Sequence, residues 1–189
     1  GMKTARFLPA QIWTITQADA GNAVYIRPEG TDKVLPVYVS EADIQVLLVE
    51  LTHILAPRPM VHELLLSAID SLHGKMSRVE IYGIKGGSYL CRVVLTQDGK
   101  ELRLESRPSD ILCLSARVDC PIFVDDGVLS QNGIPIEQVN AVSGPENAVS
   151  DPPSVFAFLQ NELKVALERE EYERAALLRD RLAELSRSQ

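Results

Sequence analysis

The sequence of 189 residues predicts an α+β fold built from a duplicated strand-strand-strand-helix unit, followed by a C-terminal α-helical hairpin. Two observations support this prediction. Runs of β-type residues occur three at a time before a helical segment, twice in the same order, and the C-terminal segment carries leucine and alanine at helical spacing. The two units are expected to form one mixed or antiparallel sheet system covered by helices.

The first unit has three strand-like runs and then a helical one. The strands are predicted in QIWTIT, NAVYIRP and KVLPVYV, and the helix in EADIQVLLVEL. Ser40 with Asp43 three residues later approximates a capping box, so this helix has an ordinary start. Another helix is predicted in MVHELLLSAIDSL, directly after Arg58-Pro59.

The second unit repeats that order. Strands are predicted in RVEIYGI, SYLCRVVL and KELRLES, a helix in PSDILCLSAR, and a short closing strand in PIFVDD. Asp43-Ile44 aligns with Asp110-Ile111 at an offset of 67 residues (110 − 43), which places Arg107 on Ser40. The second helix therefore begins with Arg-Pro where the first has its serine cap. Proline suits the first helical position because its fixed φ and missing N–H cost nothing there.

Composition and charge restrict the classes of partner. The formal net charge of −7 repels nucleic acid overall, so only a local basic site could bind phosphates. No apolar run is as long as a membrane span and no signal peptide opens the sequence, so we expect a soluble, cytoplasmic protein with no membrane partner. Cys91, Cys113 and Cys120 form no CxxC pair and are expected to be reduced, buried thiols.

The chain divides at SGPENAVSDPPS, whose Gly, Pro, Asn, Asp and Ser content is typical of a linker. We predict a domain at residues 1–142, a linker at 143–154 and a helical hairpin at 155–189. The apolar stripe of the hairpin is interrupted at Glu168–Glu171. A short hairpin of this kind leaves apolar surface exposed, which favours a protein partner or a homo-oligomer. A helical tail packed on its own domain is the alternative.

Two helices are predicted to begin beside an arginine. Arg58 and Arg107 each precede a proline at a helix start, next to backbone N–H groups that have no partner within the helix. A guanidinium and free N–H groups together suit a bound anion, most obviously a phosphate.

The segments KVLPVYVSEAD, RPMVHELL, LESRPSDILCLSAR and PIFVDDGVL resemble the bifunctional nuclease (BFN) domain family in order and spacing, over residues 10–130. The Arg-Pro-Ser-Asp core and the Arg-Pro-x-x-His-(Asp/Glu)-Leu segment are the most specific parts. The resemblance implies a metal-dependent nuclease that hydrolyses phosphodiester bonds of DNA and/or RNA, with Mg²⁺ or Mn²⁺ as cofactor. A noncatalytic phosphate-binding or regulatory module is the alternative function.

Residues on the matching motifs receive roles from this resemblance. They are catalytic residues (His62, Glu63, Arg107), phosphate-binding residues (Arg58, Arg107, Ser109) and metal ligands (Glu105, Asp110). Each also has a structural interpretation. Asp110 is favoured in a first helical turn by the helix dipole, Arg107 can form a salt bridge with Glu105 or Asp110, and His62 can be a hydrogen-bonded helix histidine.

The segment LQNELKVALEREEYERAALLRDRLAEL resembles the UVR motif of nucleotide-excision-repair subunits and some chaperone ATPases. Its hallmark here is Tyr172-Glu173-x-Ala175-Ala176-x-x-Arg179-Asp180. The resemblance implies a helical hairpin used for protein contacts, which would recruit the domain to a partner. The candidate partner-binding residues are Leu163, Tyr172, Ala176, Leu178 and Arg179.

Overall fold

A computed structural model describes residues 5–18, 21–53, 58–142 and 155–187. The strands are β1 (Phe7–Ala18), β2 (Gly21–Pro28), β3 (Lys33–Val39), β4 (Lys75–Lys85), β5 (Ser88–Gln97), β6 (Lys100–Ser106), β7 (Ile122–Asp125) and β8 (Ile134–Pro135). The helices are α1 (Glu41–Thr52), α2 (Val61–Ser71), α3 (Pro108–Val118), α4 (Asp126–Asn132), α5 (Ile136–Val142), α6 (Val155–Glu168) and α7 (Tyr172–Arg187).

The described strands form one eight-stranded mixed sheet in the order β6-β5-β4-β7-β1-β2-β3-β8. Strands β1 to β3 and β4 to β6 are two antiparallel meanders, and β7 lies between them, antiparallel to β1 and parallel to β4. Helices α1 and α3 follow the third strand of each meander and begin at Glu41 and Pro108, which are aligned by the duplication. The predicted α+β class and the repeated order are therefore confirmed.

The main core lies between one face of this sheet and the helices α1, α3 and α4. Strand and helix residues at core-facing positions are fully buried there, among them Ile26, Ile81, Ile44 and Ile111. A smaller cluster on the other face of β2 and β3 joins Tyr25 to Val139 of α5. Cys91 and Cys113 are buried as expected, and burial raises their thiol pKa to about 12, whereas Cys120 is partly exposed.

The starts of helices α1, α2 and α3 differ in their caps. The N–H of Asp43 donates to Ser40 Oγ at 3.1 Å, which confirms Ser40 as the cap of α1. Arg107 is the N-cap residue of α3, with Pro108 in the first turn, and its side chain does not cap the helix. Met60, the N-cap residue of α2, provides no side-chain cap either. The helices α2 and α3 therefore keep first-turn N–H groups without a side-chain acceptor.

Helices α6 and α7 form the expected hairpin, and the chain turns between Glu168 and Tyr172. Its core is made by both helices, and Leu178 is fully buried within it while Leu163 packs against it. Leu163 and Leu178 were expected to bind a protein partner. We correct this expectation, because both pack in the core between α6 and α7. The large apolar residues that the hairpin exposes are Leu167, Tyr172 and Leu177.

The hairpin contacts the sheet domain at the ends of α1 and α3. Arg181 Nε donates to the carbonyl oxygen of Leu51 at 3.3 Å, and its Nη2 lies 3.9 Å from Asp119 Oδ1. Because the carbonyl ends of helices carry partial negative charge, an arginine is favoured there. This contact corresponds to the alternative of a tail packed on its own domain. The predicted linker 143–154 lies outside the described residues.

None of the helices in the described ranges is both long and apolar enough to cross a lipid bilayer.

Candidate active site at the junction of three helix N-termini

The first turns of α1, α2 and α3 meet around Arg107. Its Nε donates to Asp110 Oδ2 at 2.8 Å and its Nη2 to Asp110 Oδ1 at 3.1 Å, which is a bidentate pair. The same Nη2 lies 3.7 Å from Asp43 Oδ1. His62 Nε2, from α2, is 3.1 Å from Asp110 Oδ1. Arg107 thus joins the two aspartates that the duplication aligns, and Asp110 joins Arg107 to His62.

The charge state of Asp110 follows from these contacts. The hydrogen bond from Arg107 is the main cause that lowers the pKa of Asp110, and the bond with His62 lowers it further, against the effect of partial burial. Asp110 is therefore ionised at neutral pH and can only accept hydrogen bonds. The Nε2–H of His62 is therefore the donor in its hydrogen bond with Asp110. The second ring nitrogen, Nδ1, remains for another partner.

The cluster opens to solvent at the guanidinium. The Arg107 side chain is 65% exposed, whereas that of His62 is 14% exposed. Arg58, which precedes α2, is exposed and forms no hydrogen bond or ion pair within the described residues. Ser109 is buried in the first turn of α3. A ligand from solvent would therefore meet Arg107 before it meets His62 or Ser109.

Glu105 does not join this cluster. Its two carboxylate oxygens each lie 2.7 Å from the Tyr82 hydroxyl, which donates to them. Glu105 is aligned with Arg92 on β5, and both flanking residues of Arg92 belong to the main core on the helical side of the sheet. Since side chains alternate along a strand, Glu105 faces away from α1 and α3. The structure therefore does not bring Glu105 and Asp110 together as the expected pair of metal ligands.

Glu63 also points elsewhere. Its Oε1 lies 2.8 Å from Arg117 Nη2, at the other end of α3, as an ion pair without hydrogen-bond geometry. Arg117 Nε is in turn 3.6 Å from Glu50 Oε2, and Glu50 is fully buried. Desolvation raises the pKa of Glu50, while the charge of Arg117 opposes that rise. Glu63 thus belongs to a buried network beside the site, although its neighbour His62 belongs to the site itself.

The donors near Arg107 can be compared with what a divalent cation needs. Within the described ranges, no three His, Cys, Asp or Glu side chains are grouped as a metal-binding set. Asp43 Oδ1 and Asp110 Oδ1 nevertheless lie 3.7 Å and 3.1 Å from the same nitrogen, Arg107 Nη2, so two carboxylates are grouped there. Mg²⁺ is commonly held by one or two carboxylates, with water and substrate phosphate completing the shell, so this pair fits an open site of that type.

Asp43 is the residue that sequence reasoning left out of the site. Its position in the first turn of α1 and the nearby serine cap gave it an ordinary structural role. The duplication was the available signal, because Asp43 aligns with Asp110 and both follow the third strand of a meander.

Known families match both parts of the chain. A bifunctional nuclease domain model matches residues 24–137, and a UvrB/uvrC motif model matches residues 157–188. An uncharacterized protein of Mycobacterium tuberculosis is 26% identical over 109 residues, which are 58% of this chain and 65% of that protein. Bifunctional nuclease 1 of Oryza sativa subsp. japonica is 26% identical over 179 residues, which are 85% of this chain.

Bifunctional nuclease 1 of Arabidopsis thaliana is 23% identical over 180 residues, 86% of this chain. The chain spans just over half the length of these plant relatives, 54% and 55%, and under two thirds of the mycobacterial one.

Proposed function

Because the chain belongs to the bifunctional nuclease domain family, we propose that it is a metal-dependent nuclease that hydrolyses phosphodiester bonds of DNA or RNA. The supporting observation is that Asp110 accepts hydrogen bonds from both Arg107 and His62 at the junction of α1, α2 and α3. It combines an exposed phosphate-binding group, an ionised carboxylate and an oriented histidine within one cluster. These are the parts that phosphodiester hydrolysis requires.

Phosphate would bind on the solvent side of Arg107. A guanidinium presents a planar fork of donors that matches two phosphate oxygens, and the uncapped first turns of α2 and α3 add backbone N–H groups and positive dipoles. Arg58 supplies a second cation at the start of α2. A local site of this kind is compatible with the net charge of −7, because only the groups nearest the phosphate need to be basic.

Mg²⁺ or Mn²⁺ would be held by Asp43 and Asp110, and when bound it would polarise the phosphate and lower the pKa of a coordinated water. Arg107 would then move from Asp110 towards the phosphate. His62 stays oriented by its Nε2 hydrogen bond to Asp110, and its Nδ1 is the atom that can take up or release a proton. Glu63 has a positioning role, since its contact with Arg117 fixes the start of α2.

A noncatalytic phosphate-binding or regulatory module is the second candidate. The observation that favours it is the bidentate Arg107–Asp110 pair, which neutralises the carboxylate that the nuclease proposal assigns to the cation. In that case the helical hairpin would recruit the domain to a protein partner, in line with the UvrB/uvrC motif.

Cleavage of labelled single-stranded and double-stranded DNA and RNA oligonucleotides, with Mg²⁺, Mn²⁺ or EDTA, tests both candidates. Asp110→Asn and His62→Gln should each lower a metal-dependent rate by about a hundredfold or more. Glu105→Gln is the matched control, because it makes the same kind of change on the other face of the sheet and should leave the rate intact. Metal-dependent oligonucleotide binding without cleavage under any condition would instead support the noncatalytic module.

A further inference from the structure

Helix α2 has apolar residues on both sides. Leu66 and Ile69 pack against the main core, yet no residue of α2 is buried. On its outer side the exposed residues Val61, Leu64, Leu65, Ala68 and Leu72 recur at helical spacing, and Val61 is 78% exposed and Leu72 67%. Helix α2 therefore carries an exposed apolar stripe in addition to the residues that pack on the core, and such a stripe favours a partner that covers it.

Strand β6 is an edge of the sheet, and within the described residues it pairs only with β5. Leu102 and Leu104 are 47% and 48% exposed. They are aligned with Leu95 and Val93, which lie in the main core, so both leucines point to the side of the sheet that carries α2. The strand therefore combines an open backbone edge with an uncovered apolar face.

These two features are neighbours. Gln97, at the end of β5, donates through Nε2 to the carbonyl oxygen of Leu72 at 2.6 Å, which places the end of α2 beside the β5–β6 hairpin. We call the outer face of α2 together with Leu102 and Leu104 the α2–β6 surface. Exposed apolar side chains next to an open strand edge are the usual mark of a protein interface.

We propose that the α2–β6 surface binds a second copy of this chain, with the two β6 strands paired antiparallel about a twofold axis. Such pairing would extend the sheet across both copies and place the two α2 helices on the same side of it. The outer faces of the helices and the exposed leucines of β6 would then cover one another. The contact is isologous, since the same surface is used by both copies.

The charges of β6 make the strand complementary to itself. When Leu102 lies opposite its own copy, Glu101 faces Arg103 of the second copy, and when Leu104 does so, Arg103 faces Glu105 of the second copy. Both alignments keep the leucines on the helical side. Within the chain Glu101 already pairs with Arg78 and Arg103 at 3.0 Å each, so the contacts between copies would add to these pairs. A second copy is the occupant that supplies both the apolar faces and this alternation of charge.

The oligomeric mass of the full chain tests this proposal. Sedimentation equilibrium of the parent should give a dimer, and Leu102→Lys with Leu104→Lys should raise its dissociation constant by roughly a hundredfold or more, since each change occurs twice in the interface. Leu167→Lys is the control, because Leu167 is equally exposed but lies on the hairpin. Circular dichroism of each variant separates loss of the dimer from loss of the fold.

Cysteine cross-linking provides a second measurement. Under the thiol oxidant diamide, Leu102→Cys or Leu104→Cys should give a covalent dimer, because directly opposed strand residues lie within disulfide distance. The parent chain reports any background from its own cysteines. A monomeric parent that forms no cross-link at either position would overturn the proposal, and so would a dimer that only Leu167→Lys dissociates.

Discussion

Two charged clusters lie along the same pair of helices and differ mainly in burial. Near the N-termini of α1 and α3, Asp110 is partly exposed and holds hydrogen bonds from Arg107 and His62. Near their C-termini, Arg117 contacts Glu50, which is fully buried and whose carboxylate accepts no hydrogen bond within the described residues. The pKa of Asp110 is lowered by its donors, and that of Glu50 is raised by desolvation.

The same residue types serve different ends in the two clusters because the clusters differ in their access to water. Glu50 and Arg117 occupy aligned positions of the duplication, as do Asp43 and Asp110. In the open cluster the arginine can exchange its carboxylate for another anion at small cost. In the buried cluster the arginine can leave only by exposing an unpaired charge to an apolar core.

The largest effect is expected from Arg117→Met. It leaves Glu50 buried without its cation, which should lower the free energy of unfolding by roughly 3–5 kcal/mol. Urea denaturation followed by the fluorescence of Trp13 measures this. The matched change in the open cluster, Arg107→Met, should cost less than about 1 kcal/mol.

Adding Glu50→Gln to Arg117→Met should recover part of the loss, because the amide is neutral. Equal losses for Arg117→Met and Arg107→Met would mean that burial does not distinguish the two clusters.

In the open cluster, a change of the arginine should affect oligonucleotide binding more than stability. Arg107→Lys keeps the charge but loses the bidentate fork, so the affinity for an oligonucleotide in the presence of Mg²⁺ should fall by about 1–2 kcal/mol. The melting temperature should hardly change, because the side chain is exposed. Fluorescence anisotropy and thermal denaturation give the two values. A lower melting temperature with unchanged binding would make Arg107 a structural residue that holds Asp110.

The two carboxylates should also give opposite dependences on pH. The raised pKa of Glu50 means that its contribution to stability is present below its ordinary value of 4.5 and is lost as pH rises through the raised value. Asp110 contributes stability above its ordinary value of 3.8 and loses it as pH falls through the lowered value.

Glu50→Gln should therefore gain in melting temperature relative to the parent as pH increases above 4.5, the ordinary pKa of the carboxyl, and Asp110→Asn should not. Parallel curves for Glu50→Gln and the parent over this range would place the titration of Glu50 outside it.

The features that could be predicted from the sequence are those that depend on a local pattern. The starts of α1 and α3, the proline of α3 and the break between α6 and α7 follow from capping and periodicity, which act over a few residues. Which side chains meet in space depends on longer-range geometry. The pairing of Glu63 with Arg117 joins α2 to the far end of α3, and no spacing in the sequence indicates it.

Glu105 illustrates a different limit. It lies close to Asp110 in sequence, but it follows Leu104 in a strand, and alternation sends consecutive side chains to opposite faces. The alternation in KELRLES contains this information once the leucines are assigned to the core side. The role of Glu105 as a metal ligand came from the family motif, and a motif does not state to which face of the strand a side chain points.

The smallest effect is expected where the hairpin contacts the sheet domain. Arg181→Ala removes the hydrogen bond to Leu51 and the charge near Asp119, which should cost about 1 kcal/mol or less. The predicted linker at 143–154 should then be cut faster in limited proteolysis, leaving a stable fragment of the preceding domain. Arg179→Ala is the control, since Arg179 is exposed and its Nε lies 3.5 Å from the carboxylate of the adjacent Asp180. Cleavage confined to residues 20–130 would contradict the domain division.

The position of β7 has a consequence for how the chain folds. This strand alone joins the two described meanders, and it comes after α3 in sequence. Until residues 122–125 have been synthesised, β1 and β4 each keep an open edge that no local segment can pair. The sheet is therefore completed by a contact of high sequence separation, which makes its closure slow relative to the hairpins on either side. Before β7 pairs with β1 and β4, the open edges of these two strands can pair with other chains. Faster pairing of β7 would shorten the time for which the edges are open.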